Sequence, residues 1–281
     1  MVFANLECPV TDQHGETQSP KSNVIFCGPP QAAASLKRAH ISAVATANNH
    51  ASDYGTKGIR ETIEFLHADS IQFVGTVKDS GGEYAPVILE RAGIRIGIVA
   101  FTQFLNIRKV GVGMVSLFDS AAARTAIETL KTRVDFVFAS YHGGDEYKDV
   151  PGENALHQMH LLAEFGTDVV LGHHPHVPEG IEVYQHCLIF HSFGNAVFYQ
   201  PQLHWTQRSF AALFQFQNRN GRKEITSIEL IPFRPGYQPA LNLRDDERTE
   251  LMDRIRSLSS VTITHSERGY FVEYSIAKAT P

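Results

Sequence analysis

Cysteine is scarce: Cys8, Cys27 and Cys187 are the three in 281 residues, and none belongs to a Cys-x-x-Cys pair. A disulfide-built scaffold is therefore excluded, and the three read as structural or incidental, with a Cys8–Cys27 bridge allowed in an oxidising compartment. Positive charge is short as well. Lys and Arg number 25 against 30 Asp and Glu, a formal charge of −5 with His neutral. No basic run is present to neutralise a row of phosphates, so no nucleic-acid partner is expected. No apolar stretch approaches the roughly 20 residues that span a bilayer. The N-terminus, MVFANLECPVTD, lacks the basic flank and apolar stretch of a signal peptide, so the chain as given is expected to be soluble and without an export address. Also missing are a Gly-x-Ser-x-Gly elbow, a phosphate-binding Gly-x-x-x-x-Gly-Lys-Ser/Thr loop and a Gly-x-Gly-x-x-Gly turn after a first strand. What remains is an ordinary globular composition, 43% hydrophobic and 20% charged, long enough for one large domain or two small ones.

Hydrophobic periodicity places the chain in the α/β class. Residues 41–46 read as a strand, 56–68 as a helix with Ile59, Ile63 and Leu66 on one face, and 71–74 as a short strand. Residues 86–90 and 94–101 read as a hairpin, 121–133 as a helix and 134–140 as a strand. A helix over 153–165 is closed by Gly166 as its C-cap, before a strand over 168–171. Beyond Val177 the pattern turns antiparallel, with runs at 180–184, 188–191, 209–217 and 224–231 and turn chemistry at 218–221. A helix is expected over 243–258, and residues from Ser259 onward carry no chemical signal. The domain reading is one domain over 1–240, followed by a helix and tail over 241–281.

Chemistry concentrates in loops that follow strands, where open α/β sheets place their sites. Eight of the fourteen histidines fall between residues 142 and 191. The densest run is Gly172-His173-His174-Pro175-His176-Val177, and its His-x-His spacing suits one metal or two. A merely His-rich surface loop is the competing reading. Ala47-Asn48-Asn49-His50, with Asp53 behind it, offers an amide ligand beside a proton-donating imidazole, while plain turn and cap chemistry remains open there. Asp53 can hold the loop or the His50 ring rather than a metal. Tyr141-His142-Gly143-Gly144-Asp145-Glu146-Tyr147 follows another strand, and Asn5-Leu6-Glu7 follows the first, at residues 2–4. Asp145 and Glu146 also read as solvated loop charges, and Glu7 as a surface charge. Metal chemistry is the leading account, because these four loops bring Asn, Glu and His to one kind of place.

In that order, and with Ser192-Phe193-Gly194-Asn195 after them, these motifs resemble the CapA family, the poly-gamma-glutamate capsule biosynthesis proteins of the calcineurin-like metallophosphoesterase superfamily. The likeness runs over roughly residues 2–200. It implies a four-layer α/β/β/α sandwich with two divalent ions, Mn, Zn or Fe, at the carboxyl ends of its strands. By the same resemblance, Glu7, Asn49, His142, His174 and His176 match ligand positions and His50 the proton donor, with Asp53 beside it. Asn5, Asn48, Glu146, His173 and Asn195 are the expected substrate contacts. Family members carry a Gly-Asp motif on a strand upstream of Asn-Leu-Glu, and here only four residues precede Asn5. The expectation is a chain clipped at its N-terminus, lacking its first strand and any membrane anchor upstream, with a cell-envelope location. The implied reaction is hydrolysis of a phosphoester or a gamma-glutamyl amide in a small molecule or an anionic polymer. The alternative is a polymer-binding or export component of capsule assembly with a degenerate metal site.

Overall fold

The computed structural model describes residues 1–13, 25–107 and 112–278. Two compact units divide the chain: residues 1–91 with 95–143, and residues 92–94 with 144–281. The α/β reading holds in both.

The first unit opens on β1 (Phe3–Asn5), which pairs in parallel with β2 (Ala43–Ala45); between them lies α1 (Gln31–Arg38). The sequence reading did not anticipate α1, although Pro29-Pro30 followed by three alanines is a helix-start signal. Its Ala33 and Leu36 pack with Val44, Leu66 and Ile71. Next come α2 (Gly55–Ala68) and β3 (Gln72–Val74), parallel to β2. Helix α2 buries Ile59, Ile63 and Leu66, the stripe expected from its sequence, together with Gly58 and Thr62. The unit continues through β4 (Val87–Arg91), β5 (Ile94–Thr102), α3 (Ser120–Lys131) and β6 (Phe136–His142). Asp119 caps α3 by accepting the Ala122 N–H at 2.8 Å. Strands β5 and β6 are parallel, with Thr102 opposite His142. Strand β6 is buried along its whole length, which explains its unbroken apolar run.

The second unit contains α4 (Glu153–Glu164) and β7 (Val169–His173). Gly166 takes the left-handed conformation (φ 105°) that ends α4, as the sequence required. Strands β8 (Ile181–Tyr184) and β9 (Cys187–Phe190) are antiparallel to each other, and β9 is parallel to β7. A long hairpin follows, β10 (Ser209–Arg219) and β11 (Arg222–Phe233), turning through Asn220 and Gly221, both at positive φ. After α5 (Asp245–Leu258), the tail forms β12 (Ile263–Ser266), β13 (Gly269–Val272) and β14 (Ile276–Lys278), with β13 and β14 on β11. Strands β12 to β14, in the stretch from Ser259 that carried no signal, thus extend the hairpin's sheet. No described helix is long and apolar enough to cross a membrane. Cys8, Cys27 and Cys187 are not joined in a disulfide among the described residues. Burial first, and Cys27 beside it second, push the Cys8 thiol up to about 12, far from nucleophilic reactivity at neutral pH.

Candidate functional site

In the first unit, parallel pairing decides which side chains meet. Since β1 and β2 run the same way, the segments leaving their carboxyl ends, Leu6-Glu7 and Asn48 to Asp53, emerge together. His142 is the last residue of β6, inside the strand rather than in the loop after it. Its Nε2 stands 2.8 Å from Asn49 Oδ1 and 3.6 Å from Glu7 Oε1. Ligand atoms about 2.1 Å from one ion stand roughly 3–3.5 Å apart, so this spacing suits a divalent cation. Asn5 Oδ1 is buried with no hydrogen-bond partner among the described residues. A carbonyl-type oxygen left so is costly unless a cation or a donor meets it. The donor set of amide, carboxylate and imidazole therefore fits the metal that the resemblance implies.

His50 is buried next to this group, with Nδ1 2.6 Å from Asp53 Oδ2. The Phe26 N–H donates to the same carboxylate oxygen at 2.9 Å, and the Phe26 ring lies 4.4 Å from the imidazole. Asp53 thus orients the His50 ring through Nδ1, and Nε2 is its other ring nitrogen. Asn48 is buried; its Nδ2 donates to the Leu6 and Thr46 carbonyls and its Oδ1 accepts the His50 N–H. That is turn chemistry, holding the loop that carries Asn49 and His50. Asn106, in the segment after β5, went unread in the sequence. Its N–H donates to the Asn49 carbonyl at 3.0 Å, and its side-chain amide lies 3.4 Å from both Asn49 Nδ2 and His50 Nδ1. The placement after a parallel strand was the signal that could have found it.

The second unit holds another group. Ligand atoms of Glu146, His174 and His176 lie within 4.8 Å of one another, Glu146 exposed and both histidines buried. Tyr147, His174 and His176 have positive φ (63°, 107° and 61°), a backbone conformation that costs energy in residues with a Cβ. The loop is clamped at its base, where a Cβ on Gly172 would stand 2.0 Å from the His191 carbonyl oxygen. His173 ends β7, and burial holds its imidazole down to about 4, so it is neutral at physiological pH. It stands outside the Glu146 group, stacked on Phe193 at 6.1 Å. Asn195 contacts His176 itself: its Oδ1 lies 2.8 Å from His176 Nδ1. Glu179, three residues beyond His176, is buried with neither carboxylate oxygen hydrogen-bonded among the described residues. Burial pushes its pKa up to about 8, against the opposing pull of Arg254 and with the help of Asp149 and Asp145. Arg254 of α5 donates to the Pro178 carbonyl at 3.0 Å and to Asp149 at 2.8 Å, tying the C-terminal helix to the loops on either side of the histidines.

The comparisons with known proteins agree with the order of motifs. Residues 1–200 match the family described as "Bacterial capsule synthesis protein PGA_cap". The chain is 30% identical over 236 residues to the PGA biosynthesis protein CapA of Bacillus subtilis (strain 168), covering 82% of this chain and 61% of that one. It is 26% identical over 256 residues to the capsule biosynthesis protein CapA of Bacillus anthracis, covering 88% and 62%. It therefore spans about three fifths of the length of these curated relatives. Among solved structures, a Staphylococcus aureus protein assigned as a 5′-nucleotidase and crystallised with alpha-ketoglutarate aligns with a TM-score of 0.48 at 12% identity, over 79% of this chain and 44% of that one. With the family matched over most of its length and its motifs in order, this chain belongs to the PGA_cap family of bacterial capsule synthesis proteins.

Proposed function

We propose that this chain is a metal-dependent hydrolase serving poly-gamma-glutamate capsule formation at the cell envelope, acting on a phosphoester or a gamma-glutamyl amide of an anionic substrate. The observation that carries the reading is the juxtaposition of an Asp-oriented imidazole, His50, with the Asn49, His142 and Glu7 donor group. In the first unit Glu7, Asn49 and His142 would hold a cation, and in the second Glu146, His174 and His176 would hold another. What divalent cations supply in such sites is Lewis acidity and a water acidic enough to ionise near neutral pH. The protein's own contribution begins at Asp53, whose Oδ2 holds His50 Nδ1 and leaves Nε2 as the ring nitrogen that would meet the substrate. A proton on Nε2 is then available to the leaving oxygen or nitrogen as the scissile bond breaks. Asn48 and Asn106 hold the backbone and amide of Asn49 in register with that imidazole. A formal charge of −5 favours bound cations over lysines or arginines as what would attract an anionic substrate.

The test is metal analysis of the purified protein together with phosphodiester and gamma-glutamyl hydrolysis assays on wild type, His50→Gln and His174→Ala. Metal-dependent turnover that falls in both variants supports the reading. Bound metal with no turnover on either substrate class overturns it in favour of a polymer-binding component of capsule assembly.

A further inference from the structure

A chain of side-chain hydrogen bonds in the second unit ends on His176 and includes residues that no motif singled out. Asn195 Nδ2 lies 3.1 Å from Gln200 Oε1 and 3.2 Å from the Thr206 carbonyl oxygen. A backbone carbonyl only accepts, so the amide of Asn195 has one orientation: its NH2 faces Thr206 and Gln200, and Oδ1 faces His176 Nδ1 at 2.8 Å. The chain continues from Gln200 Nε2, which donates to the Tyr147 hydroxyl at 2.8 Å. Tyr147 returns to the histidine loop twice, through its N–H to the Pro175 carbonyl at 2.9 Å and through its ring, stacked 6.0 Å from His176.

We propose that Asn195 is a positioning residue that fixes His176 as the Nδ1–H tautomer, so that Nε2 is the atom offered to a metal, with Gln200 and Thr206 holding the Asn195 amide. The inference rests on the reading of His176 as a ligand and goes beyond it by naming the ligating nitrogen and the group that selects it. An oxygen with only lone pairs, set 2.8 Å from Nδ1, requires the hydrogen there and leaves the lone pair on Nε2. Donation in one direction, from His176 to Asn195 to Gln200 to Tyr147, polarises each member and strengthens the next. Parallel pairing of β7 with β9 explains why Asn195 reaches His176, since both segments leave the same end of that strand pair.

The experiment uses the full chain with 15N-labelled histidine, metal-free, and reads ring tautomers by long-range 1H–15N correlation, with the His176 signals assigned by their loss in His176→Ala. Wild type should show the Nδ1–H pattern at His176. Asn195→Leu should lose it, and Asn195→Asp, which keeps an acceptor oxygen, should retain it; Asn195→Ala carries the same expectation as Leu if that variant fails to fold. Mn2+ titration followed by electron paramagnetic resonance should show the Leu variant binding about 10–100-fold more weakly than wild type. The Asp variant should stay within a few-fold. An Nε2–H pattern in the wild type, or an unchanged Nδ1–H pattern in the Leu or Ala variant, would overturn the proposal. If the tautomers behave as stated and the wild type binds no Mn2+, the positioning claim stands and the ligand reading falls.

Discussion

Asn49 Oδ1 lies 2.8 Å from His142 Nε2, although 93 residues separate the two along the chain. An amide and an imidazole brought this close, with the Glu7 carboxylate 3.6 Å from the same nitrogen, offer the kinds of donor that suit hard or borderline divalent cations. Replacing Asn49 by Leu is expected to raise the dissociation constant for Mn2+ or Zn2+ by at least about 10–100-fold. Calorimetric titration of the metal-free protein checks this, and an unchanged affinity would remove Asn49 from the ligand set.

His50 and Asp53 are expected to matter for turnover rather than for metal content. In His50→Gln the imidazole is gone while the loop contacts of Asn48 persist, so kcat should fall about 10²–10⁴-fold. Metal content, measured by elemental analysis, should match wild type; a parallel loss of metal would show that His50 acts as a ligand instead.

Glu179 makes the second unit sensitive to alkali. Its folded-state pKa is raised from 4.5 to about 8, so the folded form holds a proton that the unfolded chain releases. Stability therefore falls as pH rises through that window, by on the order of 5 kcal/mol at most once the group is fully ionised. Glu179→Gln should match wild type in thermal unfolding at pH 4 to 5 and exceed it at pH 8 to 9. Equal melting temperatures at both ends would mean that Glu179 finds a compensating partner when ionised.

The base of the histidine loop should tolerate no added carbon. A Cβ at Gly172 would stand 2.0 Å from the His191 carbonyl oxygen, an atom fixed by the backbone and unable to swing aside. Gly172→Ala is expected to cost about 3 kcal/mol through overpacking, read as a lowered midpoint in urea unfolding. A midpoint within experimental error of wild type would show that the strands separate cheaply there.

Local chemistry made much of this molecule legible. The stripe of α2, the Gly166 cap of α4, the Asn220-Gly221 turn and the buried β6 run each depend on a few neighbouring residues and their backbone preferences. Less legible were α1, only eight residues long, and β12 to β14, which are three or four residues each and pair with strands distant in sequence or with one another.

By itself the sequence determined the α/β class, the order of the candidate loops, the family and the residue types those loops present, because periodicity and motif order are properties of the chain alone. Only the tertiary structure decided what each of those residues does. Parallel pairing of β1 with β2, and of β7 with β9, sets which loop ends emerge side by side. That pairing brought Asn48 to the Leu6 carbonyl and Asn195 to His176, whereas Asp53 meets the His50 ring locally, three residues along the same loop. Asn106, Gln200 and Arg254 reach these loops from segments outside the motifs. A hydrogen bond is a relation across space at about 3 Å, and no linear pattern states which distant donor will meet which acceptor.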